Sequence, residues 1–245
     1  MSEDFNSILD EVKKLKKDLT FYSPTKDEEF AISPLNLHQQ KLIIENSISS
    51  NLSILFFNTV LFDIIKNNFS GDLSSLDTLD RVSIALSLRS KISNDYEEDD
   101  VKVKISDIIK NMNEKIIIDG EDIKTESFNF KVEKPNLILD NKINKIILKK
   151  YESKKFDEEK VNSLISDIYV YEILKFVKQI SFNDITIDTE ENFQNSLKIL
   201  SEIDSSELKA VFKFINKVRD NELKLASIPN SDKNISITPD FFIVQ

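Results

Sequence analysis

In 245 residues there is no cysteine, no tryptophan, one histidine (His38) and two glycines, Gly71 and Gly120. Each shortage excludes a class of function. Without cysteine there are no disulfides, no thiolate nucleophile and no zinc–sulfur centre. One histidine leaves little for imidazole-based acid–base catalysis. His38 lies in LNLHQQK, and the next carboxylate downstream, Glu45, is seven residues away, beyond the three or four that would share a helix face. Two glycines cannot supply a phosphate-cradling loop, and no G-x-G-x-x-G, P-loop or G-x-S-x-G motif occurs. Asp and Glu total 43, so a carboxylate pair carries no signal by its presence alone. These absences predict no catalytic residues, no cofactor and no metal, and a function exercised by binding other proteins.

Long hydrophobic runs are missing too. The most apolar window, LSILFFNTVLFDII over Leu52–Ile65, contains Asn58 and Asp63. It falls short of the roughly 20 apolar residues of a membrane span and reads instead as a buried central helix. Positive charge is in deficit: 33 Lys and Arg against 43 Asp and Glu leave a net charge of −10. Such a surface repels phosphate backbones and anionic lipid, so nucleic acid and membrane are not expected partners. No small-molecule substrate is expected either. Basic or mixed-charge protein surfaces are the expected ones. Hydrophobic residues at 40% and charged residues at 31% are those of a folded chain. MSEDFNSILDEVKKL has no apolar h-region and no cleavage site, so no targeting segment is expected.

What is present is mostly helical periodicity. Phe5, Ile8, Leu9, Val12, Leu15 and Leu19 recur at three- and four-residue steps, predicting an amphipathic helix within 1–22. Ser23-Pro24-Thr25-Lys26-Asp27 reads as a linker. A short strand at Glu29–Ile32 and helices from Asn36 to about Ile48, over Leu52–Asn67 and over Thr78–Lys91 make up a helical N-terminal part, 28–94. The acidic run NDYEEDD (94–100) reads as a solvated loop. Alternation in Val101-Lys-Val-Lys-Ile, Phe128-Asn-Phe-Lys-Val and Leu137-Ile-Leu predicts a small β-containing subdomain at 101–150. Helical spacing returns over Asp157–Gln179, Glu191–Ile203 and Ser205–Val218, a helical C-terminal part at 155–225, with Ile185-Thr-Ile as a strand or an extended loop. An apolar tail, 226–245, ends in Phe241-Phe242-Ile243-Val244. The fold class is therefore expected to be mainly α (α+β), with helical N- and C-terminal parts around a small β-containing subdomain. The chain ends are the candidate partner-binding elements: Phe5, Leu9 and Val12 on one, Phe241, Phe242 and Ile243 on the other. For the tail, docking on the chain's own core is the alternative.

Two stretches, Phe30-Ala-Ile-Ser-Pro-Leu-Asn-Leu-His-Gln-Gln-Lys-Leu-Ile-Ile-Glu and Leu76-Asp-Thr-Leu-Asp-Arg-Val-Ser-Ile-Ala-Leu-Ser-Leu-Arg-Ser-Lys-Ile, carry a family resemblance. A P-L-x-x-x-Q-x-K entry before an apolar helix, then a D-R-x-x-x-x-x-x-L-R helix, resembles the baseplate hub and hub-assembly proteins of T4-like contractile-tailed phages. Lys131-Val-Glu-Lys-Pro135 and Tyr171-Glu-Ile-Leu-Lys-Phe-Val follow in the family's order, so the likeness spans roughly 28–220. Its distinctive residues are Pro34, Gln40, Lys41, Asp80, Arg81 and Arg89. The resemblance implies a hub subunit or hub-assembly chaperone that binds other baseplate or tail proteins. It would act in the host cytoplasm during assembly or reside in the virion tail. The alternative is an acidic regulatory module occupying a basic partner surface.

Overall fold

The computed structural model describes residues 7–8, 11–12, 17–45, 52–98, 101–112, 114–151 and 158–243. The first complete elements are a hairpin, β1 (Leu19–Ser23) and β2 (Glu28–Ile32), paired antiparallel with Phe21 opposite Phe30. The Ser23–Asp27 segment, expected to be a linker, is the turn of this hairpin. Asp27 takes a positive φ of 62° and accepts a hydrogen bond from the Tyr22 hydroxyl at 2.7 Å. Helix α1 (Leu37–Glu45) follows, with Asn36 and Gln39 capping each other reciprocally at 2.8 and 3.0 Å.

Helix α2 (Ser53–Asn68) buries Leu55, Phe57, Leu61, Phe62, Ile64 and Ile65, but leaves Ile54 exposed. The most enclosed helix is the next one, α3 (Thr78–Ile92), which buries residues on every face from Thr78 to Arg89. Asp77 accepts from the Leu79 N–H at 2.9 Å, and Asp80 accepts from the Asp77 N–H at 2.9 Å, a reciprocal capping box. This box satisfies backbone donors that a buried helix start would otherwise strand.

The expected division into helical ends around a self-contained β subdomain does not hold. Among the described residues, strands β3 (Asp95–Glu98) and β4 (Val101–Lys104) pair only with each other, and they lead into the short helix α4 (Ile105–Lys110). Strands β5 (Glu121–Lys124) and β6 (Phe128–Val132) join β7 (Val177–Phe182) and β8 (Ile185–Asp188) in one antiparallel sheet of order β5-β6-β7-β8. Half of that sheet thus comes from the part expected to be helical apart from Ile185-Thr-Ile, and β7 lies where the helix Asp157–Gln179 was expected to end. With the N-terminal hairpin, the fold is a mixed α and β structure holding three small antiparallel sheets among its described residues. Two local signals explain the difference. Leu137-Ile-Leu is an unbroken apolar triplet with no polar alternation, so it does not define a strand, and it opens helix α5 (Leu137–Tyr151), capped by the Asn136 side chain at 2.8 Å from the Leu139 N–H. Helix α6 (Glu158–Phe176) passes straight into β7 with no glycine or proline to mark the change.

Ile123, Phe130 and Ile180 line one face of the large sheet and are buried. Helix α7 (Phe193–Glu202) precedes helix α8 (Lys209–Leu225), whose Val211, Phe214, Ile215 and Val218 belong to the same core. A second, smaller apolar cluster forms between α2, α5 and α6 around Leu55, Ile143, Ile147, Leu164 and Tyr171. The tail packs as a single turn of 3-10 helix, Pro239–Phe242.

Candidate functional site

Where α3, α5, α6 and α8 converge, charged side chains turn inward. Asp140 on α5 accepts from Arg81 Nη1 at 2.6 Å and from Lys175 Nζ at 2.8 Å. Asn144, one turn along α5, donates to Asp140 at 3.1 Å and accepts from Lys175 at 2.9 Å. Lys175 also meets Glu172 one turn back on α6, and Arg219 on α8 reaches Glu172 at 3.4 Å. Burial by itself would raise the Asp140 carboxyl, but the Arg81 and Lys175 charges outweigh it and hold the group below the ordinary carboxylate range. Burial would lower the Lys175 ammonium, and Asp140 and Glu172 hold it above its usual value instead. Glu222 is pushed up by burial, against the pull of Arg81.

These groups line a cavity of about 360 Å³ whose remaining wall includes Leu55, Pro135, Ile168 and Phe176. Its three cations (Arg81, Lys175, Arg219) face three carboxyls (Asp140, Glu172, Glu222). The arrangement is balanced, and its best hydrogen-bonding positions are already used in mutual pairing. Chemically it ties four helices together. A buried ion pair of this kind contributes registration more than net stability. Among the described residues no cluster of three or more His, Asp or Glu side chains is arranged to hold a metal ion.

A second buried carboxyl, Asp80, sits under the N-terminal hairpin. It accepts from the Ser23 hydroxyl at 2.6 Å, from Thr25 and from the Asp77 N–H. Burial, and then the neighbouring Asp77, push it up to about 6 despite those hydrogen bonds. Lys134 pairs with Asp77 at 3.0 Å.

The third polar arrangement grips the tail. The Arg89 guanidinium is buried and donates to the Phe241 carbonyl at 2.6 Å, to the Asp95 carbonyl at 3.3 Å and to the Ser93 carbonyl. It also lies 5.8 Å from the centre of the Phe241 ring. Phe241 packs on Tyr96 at 5.6 Å and Phe242 on Phe57 at 5.9 Å between ring centres. Gln40 adds a longer contact to the Phe242 carbonyl, 3.4 Å.

The structure therefore places Phe241 and Phe242 inside the chain's own core, with only Ile243 at the surface. In this conformation neither phenylalanine is available to a partner: two large aromatic side chains gain more from the Phe57 and Tyr96 pocket than from water. At the other end Ile8 and Val12 are exposed, on a helical stretch, while Phe5 and Leu9 lie outside the described residues.

Sequence reasoning missed the inward-facing charges Asp140, Glu172, Lys175 and Glu222. One signal was available: Lys175 interrupts the apolar run Ile173-Leu174-Lys175-Phe176-Val177. A lysine inside a stripe that must be buried requires a carboxylate partner. No protein-family model, no curated protein and no solved structure matches this chain.

Proposed function

We propose that the chain is a binding protein without chemistry of its own, a subunit or assembly chaperone of a phage tail baseplate hub. One observation carries the reading. Four of the five polar residues that give the sequence its likeness to that family serve the framework, and the fifth, Lys41, is exposed and pairs with Glu45 along its own helix. Asp80 caps α3 and ties down the hairpin. Arg81 crosses to α5 through Asp140. Arg89 holds the tail, and Gln40 reaches the same segment. A motif made of such groups specifies a shape rather than a reaction, and a shaped acidic surface acts by fitting other proteins. Its partners are then other baseplate or tail proteins, met in the host cytoplasm during assembly.

Co-expression with the proteins encoded beside its gene, which this reading expects to be tail-tube, hub and wedge proteins, tests this. Purification through the chain should retain a defined complex, identified by mass spectrometry, in fixed stoichiometry. Assembly of complete baseplates at normal yield after deletion of the gene, with no complex retained, would overturn the reading.

A further inference from the structure

The large sheet has two outer strands, and they are protected unequally. On β5, Glu121, Asp122 and Lys124 are all exposed, and charges of this kind discourage the addition of another strand. On β8 the sequence is Ile185-Thr186-Ile187-Asp188, with a charge only at its end. No strand pairs with its outer side among the described residues. The hairpin that delivers β8 turns on Asn183, at a φ of 52°, and Asp184, so that Phe182 and Ile185 face each other across it. Both are exposed, by 45% and 64%, although they continue the row that buries Phe130 and Ile180. Phe128 on β6 extends the same apolar ledge, its ring centre 5.2 Å from that of Phe182. The sheet's apolar face thus runs out past its cover at one end.

The segment that forms this edge carries charge of one sign. From Gln179 to Leu197 there is no lysine or arginine, and there are four acidic residues, Asp184, Asp188, Glu190 and Glu191. Among the described ion pairs only Lys142 reaches this stretch, at 3.7 Å from Glu190. A second copy of the chain would bring the same acids against themselves, so self-pairing is disfavoured.

Resting on the binding role proposed above, we infer that the open edge of β8 is a docking edge. Its occupant is an extended segment of a partner protein with alternating apolar side chains flanked by lysine or arginine. The backbone of such a segment bonds to β8, its apolar side chains cover Phe182 and Ile185, and its basic residues meet Asp184, Asp188 and Glu191. Alternation along an antiparallel ladder turns the Thr186 N–H away from β7 and toward that segment, because the residues flanking the two-residue turn bond to each other.

The test uses the full chain and fluorescence anisotropy with short labelled peptides of alternating valine and threonine, one flanked by lysines and one by glutamates. The lysine-flanked peptide should bind about tenfold more tightly or better, and added salt should weaken it. Thr186→Pro, which removes the outward N–H, should weaken binding about tenfold with the melting curve unchanged, and Thr186→Val should not. Should Thr186→Pro unfold the chain, N-methylation of alternate peptide residues tests the backbone bonds without touching the protein. Equal affinity for both peptides, no binding, indifference to both Thr186→Pro and N-methylation, or a homodimer lost in Thr186→Pro would each overturn the inference. A baseplate complex that survives Thr186→Pro removes the edge and leaves the binding role. Peptide binding without any baseplate complex does the reverse.

Discussion

Asp140→Ala is the most demanding perturbation of this structure. The substitution removes the carboxylate shared by Arg81 and Lys175, leaving Lys175 with Glu172 alone and Arg81 without its partner at 2.6 Å inside the helix junction. Asn144 loses its acceptor at 3.1 Å as well. Breaking a buried pair from one side costs about 3–5 kcal/mol, because the remaining charge is uncompensated. For a chain of this length each kcal/mol is worth about 2–4 °C of melting temperature. A fall of roughly 6–20 °C is therefore expected by differential scanning calorimetry at pH 7. Asp140→Asn keeps shape and one acceptor and should fall by less. Asp140→Leu combined with Lys175→Met removes opposite charges together and should recover part of the loss, a coupling that a double-mutant cycle isolates. The sign with pH follows from the carboxyl being held below its ordinary value. Its contribution is present above the unfolded value of about 3.9 and is lost as pH falls through the lower folded one. The difference between wild type and Asp140→Asn should accordingly shrink in strong acid. A fall below about 2 °C for Asp140→Ala, or losses that simply add in the double variant, would refute the reasoning.

Two further outcomes are expected. Asp80 is raised to about 6, so its contribution is fully present below the unfolded value of about 3.9 and is lost as pH rises through the folded one. Urea midpoints should decline between pH 5 and pH 7, and Ser23→Ala, which removes a donor that favours the carboxylate, should steepen that decline. Arg89→Met strands the carbonyls of Ser93, Asp95 and Phe241, and removal of residues 239–245 empties the pocket against Phe57 and Tyr96. Each should lower the melting temperature, the truncation by the larger amount, since losing one buried phenylalanine side chain alone costs about 3–5 kcal/mol. A truncated chain that melts like the intact one would show that the tail lies elsewhere in solution.

Local signals carried the helices whose starts have caps. Asn36 marks the start of α1 in the sequence and makes the bond its position predicts; Asp77 caps α3 without having stood out in the sequence. The segment Ile185-Thr-Ile, alternating beside a tight turn, is a strand as its pattern suggests. What failed was pairing over distance. Nothing in Phe128–Val132 states that its neighbour is Val177–Phe182 rather than some closer segment. The same holds for the charges. Arg81 was visible as a distinctive residue, but its partner Asp140 lies 59 positions away on a different helix. The hairpin was misread because Ser-Pro-Thr-Lys-Asp suits a turn and a linker equally well. Only the packing of Phe21 and Phe30 on Phe69 decides between them.

The grip on the tail also sets the order in which the molecule can fold. Arg89 bonds to a residue 152 positions later, and Gln40 to one 202 positions later. While the chain is being synthesised, the slot between Phe57 and Tyr96 stays unfilled until residues 241 and 242 have left the ribosome. The N-terminal helices therefore finish their core last, although they are made first. Loop closure over such separations slows folding, and the open slot keeps apolar surface exposed in the meantime. Emergence of residues 241 and 242, rather than domain-by-domain consolidation, is the step that commits this chain to its native state. A stalled nascent chain ending near residue 230 should be far more sensitive to protease in its first hundred residues than the released protein.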